Sequence, residues 1–297
     1  METLVLLWLL GPYLALSLST VVDAVRRFYR RRMQHGVILL ALLMGPFVLV
    51  NAPNARQNAN AFANGLLALG AYALVPGALA MYRQKTAKPR PLDLADALVI
   101  LIVWLPVEFG WLPAMNVTAL GQSIPLGPLT SVVLVLLIFL VLRPLTQIGY
   151  TFALTRTDLR RAGAAALAFA AVAVPLGLLV GFLRWRPPAF INLELLIVRF
   201  VITFLLVGLP EELIYRGVLQ NLIEKRTGEK RAALVIAAVI FGAAHLNTPP
   251  APNYTYALLG TLAGVAYGWV WMRTRKITAA ALTHTLVNWV WVWLLGG

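Results

Sequence analysis

The chain has 297 residues, 60% of them hydrophobic and only 12% charged, whereas a soluble globular chain is nearer half apolar and a quarter charged. This balance excludes an ordinary soluble domain and leaves a membrane protein with room for about nine or ten crossings of roughly 20 residues. The net charge of +14 and the absence of cysteine then narrow the chemistry: disulfides, thiolate zinc sites and cysteine nucleophiles are removed together, and the basic residues sit in short loops where they report topology rather than a nucleic-acid partner.

In chain order, apolar stretches at 3–22, 37–50, 61–82, 94–113, 129–152, 163–183, 191–209, 232–246, 254–272 and 277–295 read as membrane helices, because backbone polar groups in hydrocarbon must be satisfied within the segment. No basic residue precedes the first stretch and Arg26 and Arg27 follow it, the pattern of a retained anchor rather than a cleaved leader. Stretch 37–50 is short and contains Gly45 and Pro46, which suits either a crossing or a re-entrant segment. The long connection 114–128, rich in Gly and Pro, reads as irregular.

If every stretch crosses, alternate loops divide sharply. Loops 26–36, 83–93, 155–162, 225–231 and 273–276 hold 19 basic residues, and the opposite loops hold 3. That bias places the first set in the cytoplasm and both termini outside, and membrane lipids are the expected partners of the charge. The expected architecture is all-α, a polytopic transmembrane helical bundle of about 9–10 membrane segments. Residues 1–190 carry no assigned motif and 191–297 carry the chemistry.

Ionisable residues inside a span are costly and mark candidate functional sites. The segment from Gly208 to Arg216 places Glu211, Glu212 and Arg216 in an otherwise apolar helix, and Phe241 with His245, then His284 with Asn288, follow on two further spans. Glu212 and Arg216 are i and i+4, so they share a helix face and pair. Glu211 points about 100° away and is the candidate base. His284 and Asn288 are again i and i+4, so an imidazole and an amide can aim N–H groups at one point, as an oxyanion requires. Counted from the nearest basic loop at about 1.5 Å per residue, all these groups lie at similar depths. Residues 191–225 as one helix would be about 52 Å long, so a tilt, a cytoplasmic extension or a break at Gly208–Pro210 must absorb the excess. Glu108, Arg143, Glu194 and Arg199 lack neighbours at useful spacing and read as packing, pairing or snorkelling residues.

These three segments resemble the CPBP family of intramembrane proteases, the CAAX prenyl endopeptidase and bacteriocin-processing enzymes also called the ABI family. The family pattern EExxxR, FxxxH, HxxxN is met by Glu211, Glu212 and Arg216, by Phe241 and His245, and by His284 and Asn288. The resemblance implies hydrolysis of a peptide bond of a membrane-associated protein or peptide. Glu211 and His245 would activate water, His284 and Asn288 would hold the oxyanion, and Glu212 and Arg216 would support them. The family also carries a metalloprotease label, for which Glu211, His245 and His284 would be the zinc ligands. A metal-free reaction is the preferred reading, because Asn288 is a poor zinc ligand and HExxH is absent. Serine and GxGD-type intramembrane proteases are disfavoured, since no GxSxG or GxGD occurs. A multi-pass protein of a bacterial plasma membrane is expected. The alternatives are a non-catalytic immunity or scaffold protein of the same fold, and a transporter using the same buried charges.

Overall fold

In a computed structural model the described residues are 2–85, 92–119, 122–187 and 192–295, and they are predominantly helical. They fall into two compact units, Met1–Thr146 and Gln147–Gly297. The second unit contains the three motifs and the helix Arg156–Leu179.

The first unit comprises α1 (Glu2–Ala15), α2 (Ser19–Arg31), α3 (Met33–Asn51), α4 (Ala59–Lys85), α5 (Leu94–Glu108), the strands β1 (Asn116–Ala119) and β2 (Gln122–Pro125), and α6 (Leu126–Leu142). The first apolar stretch does not form one straight helix. The Ser17 hydroxyl donates to the Leu14 carbonyl at 2.7 Å and the backbone tightens into i→i+3 bonds there, which ends α1, and α2 leaves at 102°. Stretch 37–50 lies within α3, a 19-residue helical run long enough to cross. The connection 114–128 contains an antiparallel hairpin pairing Asn116 with Pro125 and Val117 with Ile124, an order the Gly and Pro content concealed. Its turn, 120–121, lies outside the described residues.

Helix α6 is apolar on every face, and residues 129–139 are all buried within the unit, as expected of a central helix. It stops at Leu142 and not at 152, because Pro144 pushes Arg143 out of helical geometry (φ −131°, ψ 79°). Arg143 pairs with buried Asp96 at 2.7 Å.

The second unit holds a strap at 147–155, α7 (Arg156–Leu179), α8 (Leu193–Thr227), α9 (Lys230–Asn247), α10 (Tyr254–Thr274) and α11 (Ile277–Leu295). Helix α8 is a single run of 35 residues. In place of a break it changes winding: residues Phe204–Gly208 and Leu213–Gln220 are π-helical, and Leu209–Glu212 between them is α-helical. Pro210 has no N–H and its ring crowds the preceding turn, and a widened turn relieves both problems without ending the helix.

By length and apolarity α3, α4, α7, α8 and α9 can cross a membrane, and the bent pair α1–α2 adds a sixth if it is one span. The protein is therefore a polytopic helical membrane protein, with fewer long spans among the described residues than the ten apolar stretches suggest. Several of those stretches make shorter helices, such as the 17-residue α6.

The strap seals one end of the second unit. Gly149, at φ +77°, lies so close to the turn between α10 and α11 that a Cβ would come within 1.9 Å of the Arg275 carbonyl oxygen. Ile277 N–H donates to the Gly149 carbonyl at 2.9 Å, and Lys276 reaches Asp158 at 2.8 Å. Gly149→Ala should therefore destabilise the second unit by at least about 1–3 kcal/mol, whereas Gly163→Ala, where a Cβ meets nothing within 4 Å, should not. Thermal unfolding of the purified variants checks this; equal midpoints for the two would contradict the close approach.

Candidate active site

Glycines set the spacing of the helices that carry the motifs. A Cβ on Gly208 of α8 would stand 2.7 Å from the Thr285 hydroxyl and 3.0 Å from the Ala281 carbonyl of α11. Glu212, one turn further along α8, is thereby brought against His284. On the other side, a Cβ on Gly242 of α9 would meet Ala257 O of α10 at 2.4 Å, and one on Gly264 of α10 would meet Ala238 Cα of α9 at 2.9 Å. Small residues let the two backbones touch, the packing mode that membrane helices use where hydrophobic burial gives no drive.

At the centre lies Glu212, wholly buried. Its Oε1 accepts from Arg216 Nη1 at 2.9 Å and from His284 Nδ1 at 2.9 Å. The expected i, i+4 pair is formed, and a second partner, unanticipated from spacing, comes from a helix 72 residues away. Arg216, also wholly buried, donates through Nη2 to the Gly264 carbonyl at 3.0 Å, which is reachable only because α10 sits so close. Its guanidinium lies 4.5 Å from the Phe241 ring centroid and 5.4 Å from that of Tyr267, so aromatic faces cover the charge.

His284 is fixed on three sides. Nδ1 is engaged by Glu212, the ring stacks on Tyr267 with centroids 4.5 Å apart and planes 14° from parallel, and the Phe241 edge closes at 5.8 Å. An ionised carboxylate only accepts, so the proton on this bond belongs to His284 Nδ1. Nε2 is left to face Glu211, whose Oε2 is 3.9 Å away. Glu211 is 36% exposed where its neighbour Glu212 is fully buried. The two adjacent carboxylates thus occupy different surroundings, as their angular separation on the helix requires.

His245 opens the last, 3₁₀ turn of α9 and donates from Nδ1 to the Phe241 carbonyl at 2.9 Å. Tyr256 meets it edge-on at 4.4 Å. Glu211, His245, His284 and Asn288 all line a single cavity of about 310 Å³, together with Tyr256 and Tyr267. The remaining wall is mostly apolar, with Val207, Leu259, Ala263, Val287 and Trp291 among its residues. Glu212 and Arg216 stand behind this cavity and do not line it. Asn288 lies one turn beyond His284 on α11.

Motif reasoning missed Tyr256, Tyr267 and the Gly264 carbonyl. The available signal was the run Gly260, Gly264, Gly268 at helical spacing on α10, which marks a face of close helix contact and puts Tyr267 beside it. Glu108, Glu194 and Arg199 do not line the cavity; Arg199 lies over Trp293, 5.7 Å from the ring. Among the described residues no group of three or more His, Asp or Glu side chains is placed to hold a metal ion. The Glu212 oxygen nearest His284 is already committed to two donors.

Removing Arg216 alone leaves a buried carboxylate without its cation. Arg216→Met should cost about 3–5 kcal/mol, while Glu212→Gln with Arg216→Met, which removes both charges and keeps an acceptor for His284, should recover most of that loss. Unfolding midpoints of the two variants in one detergent give the comparison, and equal midpoints would disprove the pairing.

Residues 193–290, about a third of the chain, match a family model described as type II CAAX prenyl endopeptidase Rce1-like. The matched span includes all six polar motif residues, so the match agrees with the resemblance carried by the three motifs. No curated protein and no solved structure matches the chain.

Proposed function

With the Rce1-like match over 193–290 as premise, we propose that the second unit is an endopeptidase that hydrolyses a peptide bond of a membrane-associated protein or peptide. The observation that carries this reading is the single cavity onto which Glu211, His245, His284 and Asn288 converge from three helices.

Amide hydrolysis by water needs a proton acceptor at the nucleophile and preorganised donors where negative charge develops. Glu211, the more exposed carboxylate, takes the proton of the attacking water with His245. As the water oxygen bonds to the carbonyl carbon, the carbonyl oxygen becomes an oxyanion that accepts from His284 Nε2–H and the Asn288 amide. Since Nδ1 already donates to Glu212, donation from Nε2 requires a proton on both ring nitrogens of His284 as the oxyanion forms. Collapse of the tetrahedral adduct breaks the C–N bond, and the proton held by Glu211 and His245 passes to the leaving amine. Glu212 and Arg216 act behind the cavity as the support of His284.

The apolar wall favours a substrate segment that enters from the bilayer rather than from bulk water. The donor set favours metal-free chemistry, because Asn288 is a poor zinc ligand and no step requires a Lewis acid. The location that fits is a bacterial plasma membrane, with the basic loops in the cytoplasm.

Purified protein in liposomes, offered a library of apolar peptides, should cleave a subset. Glu211→Gln should lower the rate by about 10²–10⁴ and Asn288→Ala by about 10²–10³, both with unchanged unfolding midpoints. Equal cleavage by wild type and Glu211→Gln would remove this function and favour a binding or immunity role. In the same assay, chelator treatment should leave the rate unaltered and metal analysis should find no stoichiometric zinc; inactivation by chelator with recovery on zinc addition would overturn the metal-free reading.

A further inference from the structure

Outside the catalytic unit, α2 has a geometry that no step of proteolysis uses. It is a strongly amphipathic helix, sequence STVVDAVRRFYRR, bent 102° from α1 and followed at Arg32 by an extended residue (φ −152°, ψ 140°) before α3 begins. An amphipathic helix set at such an angle to the apolar α1 suits a place along the membrane surface.

Its inner side is pinned. Val22 is buried and Arg26 Nε donates to the Leu140 carbonyl at 2.6 Å, while on another face Phe28 stacks on His35 at 4.1 Å with planes 6° apart. The helix has one acidic residue, Asp23, and it pairs with Arg26 at 3.4 Å. Arg27, Arg30 and Arg31, at i, i+3 and i+4, share a face and are exposed. Phe28, itself 37% exposed, lies beside them as an apolar contact. Three exposed guanidinium forks with an aromatic neighbour match the phosphates of lipid headgroups in geometry and in charge.

We propose that α2 is a binding surface for anionic phospholipid headgroups, with Arg27, Arg30 and Arg31 as the phosphate contacts. An acidic protein partner is the less suitable occupant, since α2 is joined through Arg32 directly to α3, a helix long and apolar enough to cross the membrane.

The test uses full-length protein in neutral detergent, titrated with short-chain phosphatidylglycerol or phosphatidylcholine. Wild type should bind phosphatidylglycerol in preference, and salt should weaken it. A basic residue near an anionic surface contributes about a factor of five, so R27Q/R30Q/R31Q should bind on the order of a hundredfold more weakly. R27K/R30K/R31K, which keeps the charge and loses the fork, should fall between. Inorganic phosphate should not displace the lipid at matched concentration; if it does, the site is one for free phosphate and not for a lipid. These side chains are exposed, so lipid-free unfolding midpoints should be unchanged. Were the triple variant to misfold, each single glutamine variant should show the fivefold loss. Equal phosphatidylglycerol binding by wild type and the glutamine variants, or equal wild-type binding of the two lipids, would overturn the proposal, and neither outcome bears on peptide cleavage.

Discussion

A carboxylate with no access to water is the constraint around which the second unit is arranged. Glu212 is fully buried in a membrane helix, and an ionised carboxylate there is tolerable only with a cation and further donors at contact distance. Arg216 supplies the cation from the same helix and His284 the second donor from α11. Each of these groups then makes its own demand. The guanidinium takes a carbonyl from α10 and the faces of Phe241 and Tyr267, and the imidazole takes a stacking partner, again Tyr267. One charge thereby ties together α8, α9, α10 and α11.

Such contacts require backbones closer than ordinary side chains permit. Gly208, Gly242 and Gly264 stand where a Cβ would collide with the neighbouring helix. In the bilayer, where lipid tails are as apolar as the side chains they would replace, close packing and interhelical hydrogen bonds carry the association. The glycines therefore supply cohesion and bring the polar groups within reach of one another. Widened turns on either side of Leu209–Glu212 belong to the same arrangement. They keep Pro210 inside a continuous helix while changing the direction in which Glu211 and Glu212 point, a use of π-helical turns that recurs at functional sites.

The sequence makes some of this legible and hides the rest for physical reasons. Hydropathy identifies the helices because hydrocarbon enforces them, and the i, i+4 rule foretells the Glu212–Arg216 pair because it is local. The bond from Glu212 to His284 is not local: 72 residues separate the partners, and no spacing rule reaches across two intervening helices. The bend after Ala15 and the early end of α6 at Leu142 were hidden for a different reason. Hydropathy averages over a window, whereas a serine hydroxyl or a single proline acts at one peptide bond. The hairpin at 116–125 was masked by composition, since Gly and Pro mark turns without telling which residues between them pair.

Adjacent glutamates in a helix cannot face the same environment, and the unit exploits this. The step of about 100° between Glu211 and Glu212 sends one carboxylate to a cavity and the other into the packed interior. Their chemical types are identical, so the difference in role is a difference in solvation and partners. The interior one binds Arg216 and His284 through Oε1, behind the cavity. The other lines the cavity and is partly exposed. An apolar wall around that cavity reduces competing dielectric, so the orientation of His284 by Glu212 acts with more force than the same pair would in water. A buried carboxylate that ties four helices together and a carboxylate that faces the cavity are therefore neighbours in sequence.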